Sequence, residues 1–167
     1  MKRIILLGLV CLLLSGCAGA KTPGDTAPAV SIPETTIAIT ETITVYKPDA
    51  NCEKLETVFV EVAEKNAQNI LKALEECNVI SSGITVQSES IETDSAGRHL
   101  RLDFNQALQT AIASYGTAGE YAMLGAIVNT FLDAYSVDDI YLSVDGHDLE
   151  TGHNVYSEPL TKFSVDF

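Results

Sequence analysis

The feature that most constrains the fold is a strand–helix–strand pattern between residues 100 and 146. Apolar and charged residues alternate over residues 100–104, which is the period of a half-buried strand. Large apolar residues then recur at helical spacing over residues 121–135. Alternation returns over residues 140–144 and ends at an Asp-Gly turn. The sequence therefore predicts a strand, a long helix and a second strand, and none of them carries a catalytic motif.

Further elements are predicted before this unit. Alternating residues at 37–46 and 55–62 indicate two strands that pair as a hairpin. An apolar stripe predicts a helix over 63–77, and a more polar strand over 84–91 precedes the strand that ends at Phe104. The last two strands form a second hairpin. Together these elements indicate one α/β domain.

Three details of this domain follow from side-chain chemistry. Thr117 and Glu120 have the spacing of a capping box, which predicts the start of the long helix. Apolar alternation over residues 163–167 predicts a last strand. Asp103 and Asn129 are open to two interpretations: a polar pair in a site, or an aspartate that faces solvent and an asparagine that bonds locally.

A secretory signal peptide is predicted at residues 1–16. Two basic residues precede an uncharged apolar run over 4–14, which is shorter than the roughly 20 residues that span a bilayer. Residues 14–17, Leu-Ser-Gly-Cys, resemble a bacterial lipobox, in which Cys17 becomes the acylated N-terminus. The alternative is an ordinary signal peptide with an incidental cysteine. The lipobox predicts a lipid anchor at Cys17 and a position on the extracytoplasmic face of the cell membrane.

Residues 17–36 are predicted to be the acylated cysteine and a flexible linker, and residues 37–167 the single domain. The linker is rich in Ala, Thr, Pro, Gly and Ser and has no apolar period. The net charge of the chain is −13. Removing residues 1–16 takes away two of ten basic residues and no acidic ones, which leaves −15. This negative charge repels phosphate and argues against nucleic acid as a partner.

Two of the four cysteines remain for the exported domain. Cys11 leaves with the signal peptide and Cys17 is the predicted acylation site. Cys52 and Cys77 form an even pair, which is typical of a disulfide in an exported protein. Such a bond contributes about 3 kcal/mol by closing a loop. The alternative is two free buried thiols that pack as small apolar residues.

Four short segments of the domain occur in an order that characterises one protein family. They are residues 100–105, 126–130, 140–146 and 157–161. They supply a strand ending in Asp-Phe, a helix carrying Ile-Val-Asn-Thr, a strand ending in Val-Asp-Gly and a late Pro-Leu-Thr. The pattern resembles the GerMN domain of sporulation and spore germination proteins, over about residues 43–162.

The resemblance implies an α/β (α+β) fold with a small mixed or antiparallel sheet and two helices packed on one face, similar to ring-building-motif folds. Such domains act by protein–protein contact and not by turnover. The resemblance therefore implies a non-enzyme without a cofactor, with protein partners in an envelope or sporulation complex, and it allows a homo-oligomer. Family members with two copies of the domain contribute to the channel between mother cell and forespore, and this chain has length for one copy.

The residues after Gly146 are the only weak candidates for a metal site. His147, Asp148 and His153 lie in one acidic stretch, but a site requires that their side chains converge. A solvated acidic loop is the simpler interpretation. We therefore predict no catalytic residue and no bound metal.

Two functions are compatible with these observations. The first is a non-enzymatic, lipid-anchored envelope protein whose GerMN-like domain contacts other proteins in sporulation, germination or cell-envelope assembly. The alternative is a ligand-binding lipoprotein for cell-wall glycan or a cation, which uses the stretch from His147 to His153.

The lipobox generates a direct prediction. We expect Cys17→Ala to release the protein from the membrane fraction, because the acyl chains at Cys17 are the predicted membrane anchor. Fractionation of cells that produce each variant, followed by immunoblotting, measures the shift. Cys11→Ala is the matched control and should stay with the membrane. An unchanged distribution of Cys17→Ala would overturn the lipobox.

Overall fold

The computed structural model describes residues 39–152 and 154–167 of the chain. The predicted signal peptide, Cys17 and the linker to residue 36 lie outside the described residues, as does His153. The described elements follow one another as β1 (Glu41–Pro48), β2 (Leu55–Val62), α1 (Ala67–Glu76), β3 (Val86–Thr93), β4 (Arg98–Phe104), α2 (Gln106–Ala113), α3 (Thr117–Tyr135), β5 (Asp139–Val144), β6 (His147–Glu150) and β7 (Val155–Tyr156).

The strands form two sheets. Strands β1 and β2 pair antiparallel in a two-stranded sheet with an unbroken register. The other strands form a five-stranded sheet in the order β3-β4-β5-β6-β7, in which β4 and β5 are parallel and the remaining pairs antiparallel. The parallel pair is joined through α2 and α3, as a parallel connection requires a crossover. The predicted mixed α+β fold and both predicted hairpins are confirmed, with three helices where two were expected.

Helix α3 is the most deeply buried element. Every residue from position 122 to position 132 is buried, since β1, α1, α2 and β5 all lie against it. Residues of β4 and β5 that point to the helices are also buried, including Leu100, Phe104 and Ile140. The strand–helix–strand unit that dominates the sequence therefore supplies the centre of the core. None of the helices in the described part of the chain is long and apolar enough to cross a membrane.

The start of α3 differs from the predicted capping box. The cap residue is Gly116, which makes no side-chain cap hydrogen bond, and Thr117 is the first residue of the helix. The side chain of Glu120 is buried and accepts hydrogen bonds from residues of the β6–β7 region instead of reaching back to the helix start. The capping box was wrong because this buried position offers the carboxylate several donors from another part of the chain.

The predicted last strand is also absent from the described residues. Residues 163–167 form only an isolated antiparallel bridge between Lys54 and Asp166. Leu55 N donates to Val165 O at 2.8 Å, and Phe167 N donates to Glu53 O at 3.0 Å. The C-terminal segment is thus fastened beside the start of β2, but it diverges before a ladder can form.

Asn129 of α3 holds the main chain at Phe163, the first residue of the expected last strand. Its side chain is fully buried in α3 and makes two hydrogen bonds with the main chain of Phe163. Asn129 Nδ2 donates to Phe163 O at 3.0 Å, and Phe163 N donates to Asn129 Oδ1 at 2.8 Å. The expectation that Asn129 bonds locally was wrong, because a buried amide in the middle of an apolar helix needs partners from another segment.

We expect Asn129→Ala to lower the free energy of unfolding by about 2 kcal/mol or more, because it leaves the Phe163 N–H and C=O without these partners. Thr117→Ala is the control and should change it by less than about 0.5 kcal/mol, since Thr117 makes no cap. Urea unfolding followed by circular dichroism measures both. Equal losses in the two variants would contradict this account.

Candidate interaction surface

One face of the five-stranded sheet is uncovered in the described part of the chain. Leu100, Leu102 and Phe104 of β4 point toward the helices and are buried. The alternate residues of β4 point the other way and are half-buried or exposed, and β5 shows the same alternation. We call this side the open face. It consists of the outward residues of β3, β4, β5 and β6, and no described helix or strand packs against it.

An arginine stacked on a tyrosine lies at the centre of the open face. The parallel register places Arg101 beside Tyr141, and the Arg101 guanidinium carbon is 4.1 Å from the centre of the Tyr141 ring. Arg101 Nε is 3.2 Å from Glu92 Oε2, so the cation is held from two sides. A shallow depression of about 260 Å³ borders the stack and is lined by polar residues that include Ser88, Asp103, Ser143 and Asp148.

Asp103 supports the turn at the end of β5. Its Oδ1 accepts a hydrogen bond from Ser143 Oγ at 2.6 Å and from Gly146 N at 2.9 Å. Asp145 and Gly146 have φ angles of 50° and 78°, so this two-residue turn requires the left-handed region twice. Asp103 is on the open face and Asn129 is in the buried helix, so the polar pair that the sequence allowed is not formed.

His99 lies between two carboxylates at one end of the open face. Its Nδ1 is 2.8 Å from Asp139 Oδ1, and its Nε2 is 3.1 Å from Asp94 Oδ1. The hydrogen bonds to Asp139 and then to Asp94 raise the pKa of His99 above its usual value. Backbone N–H groups, chiefly that of Ala96, and His99 lower the pKa of the Asp94 carboxyl. This cluster joins the β3–β4 turn to the start of β5.

The two described residues among the weak metal candidates, His147 and Asp148, do not converge. His147 and Asp148 are neighbours on β6, so their side chains point to opposite faces of the sheet. Across residues 39–152 and 154–167, no three His, Cys, Asp or Glu side chains come together in a way that could hold a metal ion. His153 lies outside the described residues, so its part in the prediction stays open.

A buried carboxylate organises the segment that follows β6. Glu120 Oε1 accepts hydrogen bonds from Thr151 Oγ1 at 2.8 Å, Tyr156 Oη at 2.7 Å and Asn154 Nδ2 at 3.2 Å. Burial and then the hydrogen bond to Glu120 raise the pKa of Tyr156 to about 12. The segment is therefore tied to α3 through these three residues, while the acidic side chains before them, Asp145, Asp148 and Glu150, are exposed as expected for a solvated stretch.

Cys52 and Cys77 are free, half-buried thiols in the structure. Cys52 lies in the β1–β2 turn with a φ of 56°, and Cys77 follows the last residue of α1. Burial raises the pKa of the Cys77 thiol. The disulfide between them stays a prediction from the sequence.

Sequence reasoning missed a second set of hydrogen bonds between distant segments, in which a tyrosine and a lysine bind one aspartate. Tyr46 Oη donates to Asp133 Oδ2 at 2.7 Å, and Lys162 Nζ donates to Asp133 Oδ1 at 2.6 Å. The contact joins β1, α3 and the C-terminal segment. The available signal was Asp133 itself, a charged residue directly after Phe131 and Leu132 in the sequence of α3.

The geometry can be compared with known proteins. The family model described as "Germane: Sporulation and spore germination" matches residues 42–150, which is more than half of the chain. The chain belongs to the Germane family. The matched residues of this Germane chain run from β1 to the end of β6 and include the open face. A search of curated proteins finds no match.

One solved structure shares this fold. The chain is similar to the tandem GerMN domains of the sporulation protein GerM from Bacillus subtilis, with 18% identity and a TM-score of 0.56. The alignment covers 84% of this chain and 51% of that one, so the Germane chain spans about half of the tandem structure. A candidate lipoprotein from Clostridium perfringens is 20% identical, with a TM-score of 0.47 and coverage of 74% of this chain and 88% of that chain. At 18% identity the similarity to the tandem GerMN domains shows the fold alone.

The His99 cluster predicts a pH-dependent stability. Because its folded-state pKa is raised, protonated His99 stabilises the fold below about pH 6.5 and this contribution disappears as pH rises through the folded pKa. We expect His99→Gln to lower the urea midpoint at pH 6 and to change it less at pH 9.

Two comparisons control this measurement. Asp94 has a lowered pKa and contributes above about pH 3.9, with loss only as pH falls through its folded value, so the comparison stays above pH 5. His147→Gln makes the same change at an exposed position of β6 and should leave the midpoint unchanged at both pH values. An effect of His99→Gln that is equal at pH 6 and pH 9 would contradict the assignment.

Proposed function

We propose that this chain is a lipid-anchored envelope protein whose Germane domain acts by protein–protein contact, without turnover, in sporulation, germination or cell-envelope assembly. The observation that carries the proposal is the open face. A sheet side that is neither apolar enough to need a covering helix nor covered by one is available for another protein.

The chemistry of the open face supports a protein partner. Arginine and tyrosine are enriched in protein interfaces, and both lie at its centre as the Arg101–Tyr141 stack. Serines of β3 and β5 around the stack offer hydrogen-bond donors and acceptors for the surrounding rim. The backbone below is rigid because β4 and β5 are central strands of the sheet. A rigid aromatic and cationic centre with a polar rim is the anatomy of an interaction site.

Membrane attachment in this proposal comes from acylation of Cys17. The predicted signal peptide and lipobox support it, and the linker over residues 17–36 would hold the domain away from the bilayer. The strongly acidic domain would be repelled by anionic headgroups, so the lipid supplies the attachment. The protein would therefore meet its partners on the extracytoplasmic face of the cell membrane.

A cell-wall glycan is the second candidate ligand. The depression beside Arg101 favours it, because hydroxyl and carboxylate groups are suited to binding sugar hydroxyls. Calorimetry with soluble muropeptides tests this candidate, and absence of heat together with an unchanged melting temperature would remove it.

Gene deletion tests the leading proposal. We expect the deletion strain to show a defect in sporulation, germination or envelope morphology, and the wild-type chain to restore it. The double variant Arg101→Ala/Tyr141→Ala should fail to restore function while remaining membrane-bound and folded, because it removes the centre of the open face. A chain that carries Lys72→Ala, an exposed change on α1, is the matched control and should restore function. Normal phenotypes in the deletion strain would refute the proposal.

A further inference from the structure

The sheet edges in the described chain are not equally protected. Strand β3 is one edge of the five-stranded sheet, and it has an irregular register at residues 86–88 and carboxylates at Glu89 and Glu92. Strand β7 is the other edge and has only two residues. Bulges, charges and short strands all prevent edge-to-edge pairing. Both edges of the five-stranded sheet are therefore protected against pairing with another strand.

The two-stranded sheet is protected on one side only. Helix α3 lies beside β1, and Tyr46 N donates to Thr130 Oγ1 at 2.9 Å, so an outward main-chain group of β1 is satisfied by α3. The outer edge of β2 begins at Leu55, whose N–H donates to Val165 O. Beyond this point, no backbone partner is present on the outer side of β2 among the described residues.

The outward main-chain groups of β2 can be assigned. In an antiparallel pair, successive residues point their N–H and C=O alternately toward and away from the partner strand. Because Leu55 N points away from β1, the N–H and C=O groups of Thr57, Phe59 and Glu61 also point away. Tyr46 lies opposite Thr57 and likewise directs its N–H out of the ladder, which agrees with this assignment. Three consecutive outward positions of β2 thus present main-chain groups that have no partner among the residues that the structure describes.

Strand β2 carries Glu56 and Glu61 but lacks other features that protect edge strands. Over residues 55–62 the strand contains no proline and no lysine, and its register with β1 has no bulge. Phe59 is 75% exposed and Val58 is 38% exposed. A long, regular strand edge with an exposed aromatic residue at its centre is a template for pairing with another strand.

The sequence of β2 fits a second copy of itself. Residues 57–61, Thr-Val-Phe-Val-Glu, are nearly symmetric about Phe59. A two-fold axis at Phe59 pairs Phe59 with itself, Val58 with Val60 and Thr57 with Glu61 of the second copy. This register joins outward groups to outward groups and makes about six main-chain hydrogen bonds. No two carboxylates are directly opposed in it.

The main-chain geometry of β2 excludes the register in which Glu56 would oppose Glu61. Direct opposition of Glu56 and Glu61 would need a shift by one residue, which would set an inward-pointing residue against an outward-pointing one. The hydrogen-bond pattern forbids that shift. The Glu61 carboxylate is also held away from the edge by hydrogen bonds from Thr40 Oγ1 at 2.7 Å and Thr42 Oγ1 at 2.6 Å.

We propose that two copies of this chain associate through their β2 strands, antiparallel and with the two-fold axis at Phe59, to form a continuous four-stranded sheet β1-β2-β2-β1. The interface is isologous, so it closes after two copies. Because each copy is acidic, association strengthens as salt screens the repulsion between domains.

The β2 edge is a different surface from the open face, so this inference goes beyond the proposed function and leaves the partner of the open face unassigned. Tethering both copies to one membrane would raise their effective concentration and favour pairing. The tests below measure pairing alone. Their failure would remove the dimer and leave membrane attachment and the deletion phenotype to be judged separately.

Cysteine cross-linking in membranes tests the register. In a full-length chain with Cys52→Ser and Cys77→Ser, Phe59→Cys should form a disulfide-linked dimer on oxidation with copper phenanthroline, because opposed residues lie about 5.5 Å apart at Cα. Thr57→Cys and Glu61→Cys should each fail to cross-link alone, but co-production of the two should yield the mixed dimer. The chain without an introduced cysteine measures the background. Cross-linking of Thr57→Cys to itself as efficiently as Phe59→Cys, or none from Phe59→Cys, would overturn the proposal.

Sedimentation of the detergent-solubilised full chain tests the association without a covalent bond. The wild-type protein should have twice the mass of the Phe59→Lys variant, since two ammonium groups would meet at the axis. Val155→Lys makes the same kind of change on β7, at a residue that is 60% exposed, and should remain dimeric. Melting temperatures of both variants show that they are folded. A monomeric wild-type chain at every protein and salt concentration, or a dimer that persists in Phe59→Lys, would refute pairing through β2.

Discussion

The structure depends on the burial of α3 from several sides at once. Over residues 122–132 this helix has no solvent-facing position, so each polar side chain there needs a partner within the protein. Asn129 and Thr130 do so in consecutive positions. Asn129 holds the main chain of Phe163, and Thr130 Oγ1 accepts from Tyr46 N while donating to Ala126 O. Two adjacent polar side chains thus fasten the first hairpin and the C-terminal segment to one helix.

This arrangement separates stability from recognition. The short segments that resemble the family pattern lie mostly in β4, α3 and β5, whose inward residues build the core. The residues available to a partner are the alternate ones on the same strands, together with the outer edge of β2. A sheet that is covered on one side allows both roles on neighbouring residues, because successive side chains of a strand point in opposite directions.

Periodicity was sufficient to predict most of the elements. Alternation and helical spacing located both hairpins, the long helix and the strand that follows it, since these patterns report which residues face a core. The capping box at Thr117 and Glu120 failed because spacing alone does not reveal that donors from Thr151 and Tyr156 lie closer to the carboxylate. The strand expected over residues 163–167 failed for a related reason. Its apolar residues are used to cover α3, where Tyr121 packs against Phe163 and Phe167 at ring-centroid distances of 4.9 and 5.0 Å.

The bridge between Lys54 and Asp166 makes the two ends of the β2 edge different. The C-terminal segment occupies the main chain of Leu55, so this end of the edge is closed, whereas the end beyond Glu61 has no such barrier in the described chain. Between residues 165 and 167 the chain runs alongside β2 from Leu55 toward Glu53, away from Thr57, Phe59 and Glu61. Residues 165–167 therefore close the Leu55 end of the edge, so an added strand can pair with β2 only from Thr57 onward.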